Sequence, residues 1–469
     1  MIEENVPLLG GPLKITRWLP LYWLCAVTFC LSVAGAMLNV PLTRLIEANL
    51  CSRYAADGIP TEESCKSDRI QSKLAYLNGC LPMVEAIVGL IVAFPFGALA
   101  DRVGRKPIII LSMIGTSLSL IWELTIIGLP SIIRVESILI GPLFVVVGGG
   151  NGVLVANLYS IASDLVSQTD RASAFFFMTF ASLVGSSVGP AASSALMEGF
   201  SPWVAAITGF ATNLASLVPL IFVPETLSLE QNYQSGQESD VSDEEDRSLR
   251  SHLSKSLQLL KASVASLKSL SVVLVLATFL TAAPGALATS QLLAQYVSKR
   301  FEWPLARTGY LLTLRGIIHM GVLLVFLPLL SKLLLRFQSG SVKDLTLARA
   351  SLVVAVLGAL CMAAPQIGMV IFGLAIQSLG AGLTPLCRSL ATNYFAPQDT
   401  AKLNSVIGIV ETTGSLFAGP LLAWLFDTGM KLGGLSLGLP YFGLAGSFAL
   451  CLFGLLFVHL PADKDDIEE

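Results

Sequence analysis

The chain has 469 residues, of which 54% are hydrophobic and only 13% charged. Soluble globular domains carry roughly 25% charge, so the outer surface must face lipid and a secreted enzyme is excluded. The 29 Lys and Arg against 32 Asp and Glu give a net charge of −3, which offers no cationic stripe to a nucleic-acid partner.

In chain order, residues 1–17 form a tail that lacks the small-residue cleavage site of a removable leader, so the first apolar run is expected to stay. Glu4 to Leu9 has the form of an acidic dileucine sorting signal for vacuolar or lysosomal membranes, a string also common by chance. A helix rises 1.5 Å per residue and needs about 20 apolar residues to cross about 30 Å of hydrocarbon. Twelve such windows occur: 18–41, 79–100, 108–129, 137–162, 173–197 and 203–223, then 270–293, 308–330, 349–364, 367–393, 403–428 and 439–460, the ninth being short. Backbone groups in lipid must bond within their own segment, and these runs exceed barrel strands, so an all-α membrane protein of twelve transmembrane helices follows.

Residues 224–269 are serine-rich, acidic and nearly free of large apolar side chains, too polar to pack a core. They read as a linker between two six-helix bundles, 18–223 and 270–460, with 461–469 as a second tail. Ser239 and Ser242 are candidate phosphorylation sites there, a plain solvated tether being the alternative. Loops on the side of the termini hold 18 Lys and Arg and the opposite loops 10, which places both termini in the cytosol.

Eight cysteines are too few for a disulfide framework. Cys51 and Cys65 lie in a polar outer stretch with Cys80 at the next span's mouth, so one disulfide fits there, with Cys51 and Cys65 as candidates and the pairing left open by the sequence. The histidines His252, His319 and His459 are far apart, so no metal or other cofactor is expected. Displacing the chain by 230 residues lays Gly150 and Gly152 on Gly380 and Gly382, Gln168 on Gln398, and Gly189-Pro190 on Gly419-Pro420. The fourth and fifth spans therefore recur as the tenth and eleventh, as in a carrier made of two pseudo-symmetric halves.

At the end of the second span stands GALADRVGRKP, Gly97 to Pro107. With twelve windows, a central linker and a half-repeat, the chain resembles the major facilitator superfamily over essentially its whole length, and its linker and outer loops are similar to those of fungal twelve-span multidrug and metabolite transporters. That resemblance implies alternating-access transport of a small organic solute, driven by protons, with efflux preferred. Proton-coupled uptake and a transporter-like receptor without transport are the alternatives. It also implies a monomer in the plasma membrane, a vacuolar or other endomembrane being the alternative location.

Within the loop motif, Gly104 permits a tight reversal, Gly97 permits close approach of another backbone, and Asp101 can latch onto a neighbouring helix N-terminus. Arg102, Arg105 and Lys106 read as orientation charges or as part of the latch. In the fifth span, Gly185, Gly189 and Pro190 resemble the glycine-proline signature of proton-coupled exporters. The match is partial, since Phe176, Ser193 and Ser194 stand where that signature has glycines, and a packing seam is the other reading. Pro224-Glu225-Thr226 also recurs in the superfamily.

Ionisable groups inside spans cost about 2.5–3.5 kcal/mol each on insertion scales, so each suggests a pathway or a partner. Glu85, Arg315 and Glu411 are such groups. Glu411 is either a proton carrier or a buried acid paired with a base. Arg315 and His319 share a helix face suited to an anion or to a carboxylate on another helix. Glu85 reads as near the outer mouth, where it can snorkel, and Arg388 as an anchor. Asn151, beside the Gly148–Gly150 run, and Gln377, with Thr384 and Pro284-Gly285, are candidate polar or hinge positions along the solute path.

Overall fold

The computed structural model describes residues 14–54, 62–227, 269–337, 339–395 and 400–460. Among them are twelve helices long and apolar enough to span a bilayer: α1 Trp18–Arg53, α2 Asp68–Val103, α3 Arg105–Gly128, α4 Val135–Leu165, α5 Arg171–Gly199, α6 Pro202–Ile221, α7 Leu270–Phe301, α8 Leu305–Leu334, α9 Gly340–Met362, α10 Ile367–Thr392, α11 Val406–Leu432 and α12 Gly434–Leu456. The chain is a multi-pass membrane protein. The dileucine string, Ser239, Ser242 and most of the linker lie outside the described residues.

Several helices outrun their apolar windows. Helix α1 continues to Arg53, α2 begins at Asp68 rather than near 79, and α9 begins at Gly340, so the ninth span is not short. Polar side chains in these added turns are not simply solvated. Glu47 and Gln71 are fully buried between helices, held by hydrogen bonds that hydropathy does not register.

Helices α1–α6 form one bundle and α7–α12 the other; the second bundle's apolar core also takes in Val40, Ala75, Met197 and Ala205 of the first. In the second bundle Tyr296 and Tyr441 meet edge-on at 4.8 Å, both fully buried. Apolar side chains such as Ile91, Leu450 and Phe453 are instead exposed on the perimeter, where lipid solvates them. Several spans are interrupted, α6, α8 and α12 among them, and three of the breaks stand near the interior. Helix α4 starts as a 3-10 segment, Val135–Val146, and restarts at Gly150 after positive φ at Gly148, Gly149 and Gly150. Its counterpart α10 breaks into a 3-10 turn at Gly380–Gly382, and α7 does so at Thr278–Thr281. Non-helical backbone at membrane depth is tolerated where it borders a cavity, and all three breaks do so or adjoin residues that do.

Gly185 and Gly189 seat α5 against α1. A Cβ on Gly185 would stand 2.7 Å from the Phe29 carbonyl oxygen, and one on Gly189 2.8 Å from that of Val33. They form a packing seam within the first bundle. The bundles themselves meet along two further seams. Gly79 of α2 lies backbone to backbone on Gly419 of α11, while Ser187 and Ser194 of α5 press on Gly316 and Gly309 of α8.

Candidate functional site

With twelve spans, the start of α1 and the end of α12 fall at one face of the bundle pair, here the terminal face. At the opposite face the halves are bonded together. Gln295 Nε2 donates to the Gln71 carbonyl at 2.7 Å, Lys299 meets the Asp68 carboxylate at 2.7 Å, the Leu305 N–H donates to Glu62 Oε1 at 2.8 Å, and Ser72 donates to Asp427 at 2.7 Å. Glu47 organises the first half of this seal, accepting from Lys66 at 2.7 Å and from Gln71 at 2.6 Å. A disulfide joins Cys51 to Cys65, with Cα atoms 5.3 Å apart, and fixes the turn that carries Lys66. Glu198 of α5, which meets Arg307 and Tyr310 of α8, adds to the seal at this face.

Behind the seal, at mid-depth, the bundles enclose a hollow in connected parts. A cavity of about 360 Å³ in the first bundle is lined by Asn39, Glu85, Glu123 and Asn151. One of about 260 Å³ in the second bundle is lined by Thr281, Arg315, His319, Gln377, Thr384 and Phe448. A third, also about 260 Å³, lies between bundles and shares Asn39 with the first and Arg315 and His319 with the second. Asn151 further opens onto a fourth, of about 290 Å³, with Thr28, Tyr159 and Ser182.

The fold thus brings together Glu85, Asn151, Arg315, His319 and Gln377. Glu85 is not near the outer mouth: it stands at the midpoint of α2, 17 residues after Asp68 and 18 before Val103. The added turns of α2 explain the difference, because an apolar window starting at 79 places the acid too close to that mouth. Glu123 of α3 faces the same cavity, accepting from Ser119 at 3.5 Å. It also is an acid inside an apolar window, and the rule that singles out Glu85 identifies it equally. Among the described residues neither acid has a basic group within 4.0 Å.

Glu411 stands apart. It lines none of these cavities and instead pairs with Arg388 at 3.4 Å, with the two side chains one-third and one-half exposed. The pair supplies the base of the paired reading but not its burial, and Arg388 meets Glu411 because α10 and α11 turn these two side chains toward each other.

The loop motif departs from expectation at Gly97, which has nothing within 4 Å of a Cβ position, so no described backbone approaches it; Asp101 is exposed. A carboxylate that caps a helix here is Glu225, which follows α6. The first N–H groups of α3 have no partners within the helix, and Glu225 accepts from those of Arg105 and Lys106 at 3.1 and 2.9 Å. Burial alone would raise its pKa, but bonds from the N–H groups of Leu227, Lys106, Arg105 and Thr226 outweigh that and hold it below the ordinary carboxylate range. Gly104 serves both the reversal, at φ 112°, and the cap, since a Cβ there would sit 2.8 Å from the Glu225 carboxylate. Arg105 pairs with Asp164, which accepts from Thr226 at 2.8 Å, and Lys106 bonds the Val223 carbonyl at 2.7 Å. These charges therefore tie the first bundle's terminal face together.

The chain matches relatives over almost its whole length. It is 31% identical to the MFS efflux pump atnC of Emericella nidulans, covering 94% of this chain and 88% of that one. It is 26% identical to the efflux pump ustT of Aspergillus flavus, covering 90% and 85%. Among solved structures it is similar in fold to the nucleoside transporter NupG, with a TM-score of 0.65, 11% identity and coverage of 94% and 98%. It is likewise similar to a D-xylose-proton symporter, with a TM-score of 0.64, 12% identity and coverage of 96% and 99%. The family model of the Major Facilitator Superfamily matches residues 77–359. Twelve spans in two bundles around a mid-depth hollow, together with these matches, place the chain in the major facilitator superfamily of membrane transporters.

Proposed function

We propose that this protein exports a small organic solute from the cytosol by alternating access, in exchange for protons. The observation that carries the reading is the hollow itself: it lies at mid-depth between the bundles and is sealed by hydrogen bonds and ion pairs on the face away from the terminal one. The distribution of Lys and Arg puts the terminal face in the cytosol, so this is the state that would load a cytosolic solute. Residues 18–223 and 270–460 are the two rocking bodies, and 224–269 is the cytosolic tether between them. The plasma membrane is the preferred location, and a single chain suffices because the hollow is built within it.

Export is favoured by the printed names of atnC and ustT, both efflux pumps. The proton is assigned to Glu85 and Glu123. Two carboxyl groups share one cavity without a basic neighbour, and keeping both ionised inside a bilayer is costly. Solute and proton would then compete for one hollow, which is what exchange requires. The test is flux in sealed proteoliposomes under an imposed pH gradient of either sign. Solute moving against the proton flow supports export by exchange. Solute moving with the protons means uptake, and no gradient-driven movement of any solute means a receptor.

A further inference from the structure

Arg315 is a charged side chain at mid-membrane that no described carboxylate neutralises. Among the described residues no carboxylate lies within 4.0 Å of its guanidinium. The acids of the neighbouring elements are engaged or turned elsewhere: Glu198 serves Arg307 and Tyr310, Glu411 serves Arg388, and Glu85 and Glu123 line the other bundle's cavity. Removing a cation from water without a counter-charge is costly. Here the guanidinium faces the second-bundle cavity on one side and the inter-bundle cavity on the other, about 260 Å³ each. His319, one turn further on, lines both as well.

The surrounding wall narrows the choice of ligand. Phe448 and Leu383 supply an apolar surface. Thr278, Thr281 and Thr289 spend their hydroxyl protons on carbonyls of their own helix, at 2.7 Å each, and so offer only acceptors. Gln377 Oε1 is buried with no hydrogen-bond partner, an acceptor that the fold leaves unmet and whose desolvation a ligand donor would offset.

We infer that the cavity between α7, α8, α10 and α12 is a carboxylate subsite, so that the exported solute is an organic acid. Its carboxylate takes the fork of N–H donors on Arg315 with His319 beside it, and an O–H or N–H donor on its apolar body meets Gln377. This assignment rests on the carrier reading above and deepens it to a substrate class.

The test uses the full-length protein in lipid nanodiscs and a matched pair of probes, 6-hydroxy-2-naphthoate and its neutral carboxamide, with binding read as a shift in the unfolding midpoint. The acid is expected to stabilise the wild type and the amide is not. Arg315→Gln should weaken acid binding by about 30-fold or more, and Arg315→Lys by less, because it keeps the charge but loses the fork. Gln377→Ala should weaken 6-hydroxy-2-naphthoate while leaving 2-naphthoate unchanged. Equal stabilisation by acid and amide, stabilisation by neither, or unchanged acid affinity in Arg315→Gln overturns the assignment. Should Arg315→Gln fail to fold, the acid–amide comparison on the wild type and the Arg315→Lys variant decide. Arg315-dependent binding without flux in sealed vesicles would remove the carrier reading and leave the subsite. Flux of the acid that is indifferent to Arg315 would do the reverse.

Discussion

The Gly79–Gly419 contact makes the balance between the two access states open to a one-carbon perturbation. In Gly79→Ala the new Cβ would stand 2.5 Å from the Gly419 carbonyl oxygen and 2.7 Å from its carbon, where ordinary contact begins at 3.4 Å. Both obstructing atoms are backbone, so no rotamer change relieves the clash and α2 and α11 must separate. Overpacking of this kind costs about 1–3 kcal/mol. The cost falls only on the state in which this seam is closed, so the equilibrium should move toward the opposite state by about 5- to 150-fold. Spin labels on Glu63 and Glu302, both exposed at the sealed face, report the separation by double electron–electron resonance. The wild type should show a short distance and Gly79→Ala a longer one. Gly89→Ala, on the same helix with nothing within 4 Å, should leave the distribution alone. An unchanged distribution in a folded Gly79→Ala protein would refute the assignment of this seam to one state.

Exchanging acids separates the two proton assignments: Glu85→Gln or Glu123→Gln should abolish gradient-driven flux while leaving solute exchange measurable, whereas Glu411→Gln should keep the coupling, and the opposite pattern returns the proton to Glu411. Because the Glu225 carboxyl titrates below its ordinary range when folded, its contribution is complete above that range and is lost as pH falls through the lowered folded value. Glu225→Gln should therefore lower thermal stability at neutral pH, by about 0.5–2 kcal/mol, and flatten the acid limb of the stability–pH curve; a limb as steep as the wild type's would count against the cap. Reducing the Cys51–Cys65 bridge, which spans a 14-residue separation, frees about 3 kcal/mol of unfolded-chain entropy, so dithiothreitol should lower the unfolding midpoint. The Cys51→Ser variant should start lower and ignore the reductant, and a midpoint indifferent to reduction with both thiols alkylated would contradict the role given to the bridge.

The twelve spans were legible because bilayer thickness sets a length that composition must meet. Their ends were not, because a helix continues past the hydrocarbon wherever neighbours satisfy its polar side chains, as they do for Glu47 and Gln71. That displacement alone put Glu85 at the wrong depth. The 230-residue repeat lays one interruption on another, since Gly150 and Gly380 both stand at breaks, but nothing in the repeat itself marked them as such. Whether an acid within a span faces a hollow or a base is a matter of helix rotation, and so Glu411 with Arg388 needed coordinates. The capping of α3 by Glu225 was hidden for a similar reason: a free helix start can be read from sequence, but which of several carboxylates reaches it is decided by how the chain leaves α6. The Gly79–Gly419 seam left a sequence trace only at Gly419, through the repeat.

Ser290, which lines the inter-bundle cavity, permits the most direct measurement of alternating access. In a background with the free cysteines replaced, Ser290→Cys is exposed to a membrane-impermeant maleimide from one face of oriented vesicles at a time. The account predicts reaction from the terminal face in the unperturbed protein. Adding Gly79→Ala should slow reaction from that face and speed it from the opposite one. Rates that rise together on both faces would describe a channel, and no reaction from either would leave the protein without a path for its solute.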